Sequence, residues 1–274
     1  MKRGSYCPLK RDKGDFSVTT IKEVKEALLK ESEWKPWMTA LEKDTRQGVK
    51  KALEQWQHRK EKYDHLLSEH KKKLDFDNSY RPFPHALIAG TDEAGRGPLA
   101  GPVVTAAVIL PEDCPTLVGL NDSKQLSKEA RESFIEKIKE CAIATSIHFQ
   151  PASVIDEINI YEATKQSMKA SIETLCRKPD FILADAMTLS MDVPQRSIIK
   201  GDAKSLAIAA ASILAKTARD HYMEKMAEKY PEYGFEKHVG YGTKQHLEAL
   251  RQYGPTEIHR KTFEPIKSMI LQKG

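Results

Sequence analysis

Ala86-Leu87-Ile88-Ala89-Gly90-Thr91-Asp92-Glu93 is the stretch on which the fold turns, because an apolar run closes on two acids. Pro82 and Pro84 stand upstream and Gly95-Arg96-Gly97 downstream. A short apolar segment between breakers reads as a buried strand, and this one carries carboxylates at its tip. Working outward, Val103–Leu110 is a second apolar strand, ended by Pro111. Ser127 caps a helix with Ala130, Phe134, Ile135 and Ile138 on one face, and Ala142–Phe149 alternates as a half-buried strand does. Tyr161–Leu175 is helical. Phe181–Ala184 is a buried strand that stops at Asp185, and Ser197–Ile199 is another that leads to Asp202. Ser205–Tyr230 forms one long alanine-rich helix, able to pack close to a sheet, and Thr243–Tyr253 is a last helix stopped by Gly254-Pro255. Strands first, then strands alternating with helices, give an α/β class with a mixed sheet.

The first third is different. Residues 1–16 lack any period and read as a flexible tail. Thr20 to Glu23 fits a capping box ahead of a helical face of Ile21, Val24, Ala27 and Leu28. Trp34-Lys35-Pro36-Trp37 breaks that helix. A longer helix follows, with Val49, Leu53, Trp56, Tyr63 and Leu67 near helical spacing, and is expected to end at Lys71-Lys72-Lys73. The expected division is therefore a tail (1–16), a small helical extension (17–74), a linker (75–84) and an α/β body (85–274).

Charge follows the same boundary. The net charge is +5, yet residues 1–84 hold 20 Lys+Arg against 14 Asp+Glu while the rest holds 24 against 25. A basic segment on a near-neutral body suits a polyanionic partner, and it equally suits a solvated helix surface. No apolar run approaches the roughly 20 residues that span a bilayer, and no apolar stretch follows Met1-Lys2-Arg3 as in a secretory signal. Cys7, Cys114, Cys141 and Cys176 have no metal-ligand spacing and fit reduced thiols of a cytoplasmic protein.

Three strand ends carry acids: Asp92-Glu93, Asp185 and Asp202. Ligands of open α/β sheets gather at such ends. Four carboxylates cannot stay ionised together without a cation, and hard divalent ions suit their oxygens. Such ions serve phosphodiester hydrolysis. Asp180 and Asp192 compete with Asp185; only Asp185 ends the apolar strand. The glycine-rich run around Asp92-Glu93 exposes backbone donors. It is neither a dinucleotide fingerprint, since a strand follows it, nor a P-loop, since no Gly-Lys-Ser/Thr closes it. In His238-Val239-Gly240-Tyr241-Gly242-Thr243 the tyrosine sits between glycines, placed to stack on a sugar or base or to cover an apolar edge.

Taken together, Ile88–Val103, Asn121-Asp122-Ser123-Lys124-Gln125-Leu126, Gly201–Ser205 with Ala209–Lys216, and His238–Thr243 resemble bacterial ribonuclease HII, a type 2 ribonuclease H, over residues 85–265. The resemblance implies a ribonuclease H-like fold with a central five-stranded mixed sheet and a C-terminal helical region, joined here to the N-terminal helical extension. It implies an endonuclease that hydrolyses the RNA strand of RNA–DNA hybrids and cuts 5′ to ribonucleotides embedded in duplex DNA, leaving 5′-phosphate and 3′-hydroxyl. Asp92, Glu93, Asp185 and Asp202 match its catalytic, metal-binding acids for Mn²⁺ or Mg²⁺. Gly95, Arg96 and Gly97 match the loop that reads the 2′-hydroxyl, and Tyr241 the tyrosine beneath the neighbouring deoxyribose. Lys124 and Lys204 are phosphate-contact candidates, Lys204 equally an ordinary exposed lysine. Arg219-Asp220 reads as a surface or structural pair, and His259-Arg260-Lys261 as a tail in reach of nucleic acid. A cytoplasmic monomer completes the expectation.

Overall fold

The computed structural model describes residues 20–271 apart from Asp122, Lys124 and Gln125. The tail 1–16 and the phosphate-contact candidate Lys124 therefore lie outside the described residues. Two compact units divide between Ser68 and Glu69.

In the first unit, α1 (Ile21–Lys30) begins with the expected capping box, Thr20 and Glu23 satisfying each other's backbone N–H. A short α2 (Met38–Glu42) follows the tryptophan turn, and α3 (Gln47–Asn78) starts the long helix. Val24, Leu28, Met38, Leu41, Val49, Leu53 and Trp56 form one small core. The Trp56 indole N–H donates to the Glu31 carbonyl at 2.9 Å, which lets a large ring be buried without an orphan donor.

The second unit is built on a five-stranded sheet in the order β3-β2-β1-β4-β5. The strands are β1 (Ile88–Ala94), β2 (Val103–Ile109), β3 (Ala144–Gln150), β4 (Phe181–Asp185) and β5 (Gln195–Ile198). β1–β2 and β2–β3 are antiparallel, whereas β1–β4 and β4–β5 are parallel. β1 runs through the Asp92-Glu93 pair rather than stopping before it.

α4 (Lys128–Cys141) and α7 (Leu206–Lys229) share one apolar cluster with β2, and α5 (Ala152–Glu173) shares another with β2 and β4. Asn159 (φ 66°) interrupts α5, and its Oδ1 accepts from the N–H groups of Tyr161 and Glu162, so the sequence-predicted helix start at Tyr161 is a real cap inside a longer element. α7 touches the sheet through small residues. A Cβ on Gly90 would lie 2.3 Å from the Ala207 carbonyl carbon, so only glycine fits beneath the helix. The short helices α6 (Gly201–Lys204) and α8 (Phe235–His238), then α9 (Lys244–Tyr253) and α10 (Ile266–Leu271), complete the unit.

One expectation is corrected. α3 does not end at Lys73; it continues to Asn78, so the first residues of the expected linker are helical. Burial is the reason. The Lys73 ammonium donates to the carbonyls of Leu120 and Asp202 and to Asn121 Oδ1 at 3.2–3.3 Å. Asp77, only 4% exposed, accepts from the Ala207 N–H at 2.9 Å, an anion at the N-terminus of α7. Burial raises its carboxyl to about 6. Asp77→Ala would strand that buried donor and is expected to cost about 1–3 kcal/mol. Asp77→Asn still accepts and should lose less. Thermal unfolding of the two variants checks the order.

Candidate active site

β1 and β4 are parallel and paired as far as Thr91 against Ala184, so the next residues, Asp92 within β1 and Asp185 at the end of β4, emerge side by side. Glu93 follows Asp92 directly. One carboxylate oxygen from each of Asp92, Glu93 and Asp185 lies within 4.8 Å of the others. Asp92 is 6% exposed. Burial, then the negative charges of Glu93 and Asp185, push its carboxyl well above the usual carboxylate range. The Glu93 N–H (2.7 Å) and the Ser212 hydroxyl of α7 oppose that rise by donating to it. Ser212 in turn meets Ser123 at 3.1 Å. An all-oxygen donor set under mutual repulsion fits a hard divalent cation, whose charge would relieve it.

Asp202 stands apart from the three. The chain leaves β5 through Lys200 in the left-handed region (φ 54°) and enters α6, where the Gly201 N–H donates to Asp185 Oδ1 at 2.6 Å. Asp202 is the next residue. Its own carboxylate accepts from the Ala203 N–H at 2.9 Å. The decoys separate cleanly. Asp180 accepts from the Leu87 N–H at the opposite end of β4, and Asp192 is exposed.

The glycine loop sits beside the acids. Arg96 reaches Glu93 at 3.5 Å. Gly95 has φ 93°, and a Cβ there would strike Arg219 Nε at 2.0 Å. A Cβ on Gly97 would lie 3.6 Å from Tyr241 Cε1, which places the tyrosine ring against the loop. Tyr241 itself is 49% exposed. Lys204 is exposed on α6.

Two arginines whose partners sequence reasoning did not place hold this loop. Arg219 is 2% exposed, and its guanidinium donates to the carbonyls of Pro102, Val239 and Ala100 at 2.9–3.1 Å. It is therefore not a surface residue paired with Asp220, whose carboxylate meets Arg131 and Lys216 instead. Arg260 is fully buried and donates to the carbonyls of Arg96 (2.8 Å), Gly95 (2.5 Å) and Gly101 (3.0 and 3.1 Å). Within the expected nucleic-acid tail, then, Arg260 and the buried His259 are unavailable to a ligand, and only Lys261 is exposed. Burial lowers Arg219 to about 10 and Arg260 to about 9. Arg219 carried no sequence signal, since it stands beside Lys216, Asp220 and His221 in the charged half of α7. Ser212 did carry one, as a hydroxyl in Ala209-Ala210-Ala211-Ser212-Ile213.

Beneath Tyr241 lie His238, His246 and His259, all buried beside Tyr233 and Phe235. Burial lowers His246 to about 4 and His259 to about 3. Their pKa values in the fold thus lie below those of the unfolded chain, so neutral rings stabilise it. That stability is fully present above about pH 6.5 and drains away as pH falls towards the folded values. The thermal-midpoint advantage of the native chain over His259→Leu is expected to shrink between pH 6.5 and about 4. An advantage that stayed constant over that window would contradict this.

Among the described residues no helix is long and apolar enough to cross a membrane. Residues 89–266 match the family model for ribonuclease HII, and residues 20–81 match that for the ribonuclease HII N-terminal domain. Ribonuclease HII of Enterococcus faecalis is 50% identical over 255 residues, covering 92% of this chain and 98% of that protein. Ribonuclease HII of Bacillus subtilis is 50% identical over 254 residues, covering 92% and 99%. Among solved structures, ribonuclease H2 of Pyrococcus horikoshii superposes with a TM-score of 0.60 at 30% identity, over 68% of this chain and 98% of that one. The sheet order, the carboxylates at the ends of β1 and β4 and these likenesses agree: the chain belongs to the ribonuclease HII family and is a ribonuclease H, with the fold of that family.

Proposed function

We propose that the acidic cluster hydrolyses the RNA strand of RNA–DNA hybrids and cuts 5′ to ribonucleotides embedded in duplex DNA, leaving 5′-phosphate and 3′-hydroxyl. The observation that carries this reading is the convergence of Asp92, Glu93 and Asp185 beside a glycine loop that an aromatic ring touches. Asp92, Glu93 and Asp185, joined by Asp202 from α6, would hold Mn²⁺ or Mg²⁺. A bound divalent ion would supply charge for the scissile phosphate and acidify its attacking water. The residues around it select the bond. Gly95 and Gly97 let the loop backbone approach the 2′-hydroxyl closely, and Arg96 lies between loop and acids. Tyr241 presents a half-exposed ring to the neighbouring deoxyribose. Lys124 would contact a phosphate. The enzyme would act as a monomer in the cytoplasm.

A duplex with a single ribonucleotide is the test. With Mn²⁺ the pure protein should cut once, 5′ to that residue, and EDTA should stop it. An all-DNA duplex should survive. Equal cutting of both duplexes would instead mark an unselective phosphodiesterase.

A further inference from the structure

Two of the three buried imidazoles, His259 and His246, form a hydrogen-bonded chain that ends on the Tyr241 carbonyl, and its direction is fixed by chemistry. The Thr256 backbone N–H can only donate, and it donates to His259 Nδ1 at 2.9 Å. A neutral ring whose Nδ1 accepts carries its proton on Nε2. His259 Nε2–H therefore donates to His246 Nε2, 3.0 Å away. His246, accepting at Nε2, carries its proton on Nδ1 and donates it to the Tyr241 carbonyl at 2.9 Å. His238 is ordered the same way: its Nδ1 accepts from the Gly240 N–H at 3.3 Å and its Nε2–H donates to the Tyr233 carbonyl at 2.9 Å. Its ring stacks on His246 with centroids 4.7 Å apart. A proton added at His246 Nε2 would remove the acceptor of the His259 Nε2–H and break the chain, whereas His259 Nδ1 also faces the Thr256 hydroxyl at 2.8 Å.

The chain ends on the backbone of one residue. The Tyr241 carbonyl accepts from His246 Nδ1–H (2.9 Å) and from the Thr243 N–H (2.8 Å), and the Tyr241 N–H donates to the His238 carbonyl at 2.8 Å. The preceding Gly240 carbonyl accepts from the Leu99 N–H at 2.9 Å, tying the turn to the glycine loop. The peptide groups on both sides of Tyr241 are thus fixed while its ring is half exposed. A rigid support under an exposed aromatic ring is how a binding contact is pre-organised.

We infer that His246 and His259 are positioning residues for substrate recognition: their proton-ordered pair fixes the Tyr241 carbonyl and so aims the tyrosine ring at the sugar of the bound strand. The inference rests on the reading of Tyr241 as a substrate contact. Neither histidine touches substrate, so both act through Tyr241.

The test is steady-state kinetics of the full chain on the single-ribonucleotide duplex, using Tyr241→Ala, His246→Phe, the double variant and His246→Asn. Tyr241→Ala and His246→Phe should each raise KM about tenfold, the scale of one stacking contact, with kcat near the native value. His246→Phe should add nothing in the Tyr241→Ala background. His246→Asn keeps an N–H donor where Nδ1 stood and should recover most of the loss. Equal KM increases from His246→Phe in both backgrounds, or a fall in kcat at unchanged KM, would overturn the inference and leave the Tyr241 contact standing. An unchanged KM for Tyr241→Ala would overturn the contact and the inference together. Should His246→Phe fail to fold, His259→Leu carries the same cycle, because it removes the donor to His246 Nε2.

Discussion

Asp92→Asn should abolish cleavage, by about a thousandfold or more, while making the protein harder to unfold. The activity loss follows from removing the most buried oxygen donor of the acidic cluster: several kcal/mol of transition-state stabilisation go with a metal-binding charge, and about 1.4 kcal/mol is tenfold in rate. The stability gain follows from the same burial. Asp92 sits among Glu93 and Asp185 in a site that pushes its carboxyl well above the usual range. In metal-free buffer that repulsion destabilises the fold, and an amide of the same shape removes it. The Glu93 N–H can still donate to the asparagine oxygen. Metal-dependent cleavage assays and melting in EDTA read the two effects separately. A variant that is inactive and also less stable would mean that Asp92 serves the fold rather than the reaction.

Arg260→Met should damage both stability and recognition. The guanidinium answers the carbonyls of Gly95, Arg96 and Gly101 together. Each buried carbonyl left alone costs about 1–3 kcal/mol, so the loss is expected to reach several kcal/mol. Because the freed segment is the glycine loop, the surviving folded protein should also show a raised KM for the single-ribonucleotide duplex. Arg260→Lys should not rescue, since an ammonium is a point donor and cannot span the set. Melting and kinetics that both matched the native chain would remove Arg260 from the loop's support.

Much of this molecule was legible in the order of its residues. Local rules placed the elements: the Thr20–Glu23 capping box, Ser127 as a helix cap, Gly254 as a stop, and apolar runs of strand length all mark structure within a few residues. The convergence of Asp92-Glu93 and Asp185 was legible for a related reason. A carboxylate at the tip of an apolar strand has nowhere to be buried comfortably, and parallel strands in register bring their tips together.

What sequence alone could not place were groups whose partners are distant in the chain. Arg219 and Arg260 look like ordinary cations until the loop they hold is seen, more than 100 residues away, with carbonyls as their acceptors. Lys73 and Asp77 look like the polar end of a helix and the start of a linker, yet they are buried against Asp202 and the N-terminus of α7. The histidines under Tyr241 carry no spacing that betrays them. A backbone carbonyl is present at every position, so no residue pattern announces which one a side chain will bind. That choice is made only when packing closes the distance. Sequence by itself determined the strands, the helices and the acids at the strand tips, because those follow from period, capping and the cost of burying charge. Tertiary structure alone decided which buried cations and imidazoles hold the glycine loop and the Tyr241 turn, because those bonds exist only where folding has excluded water.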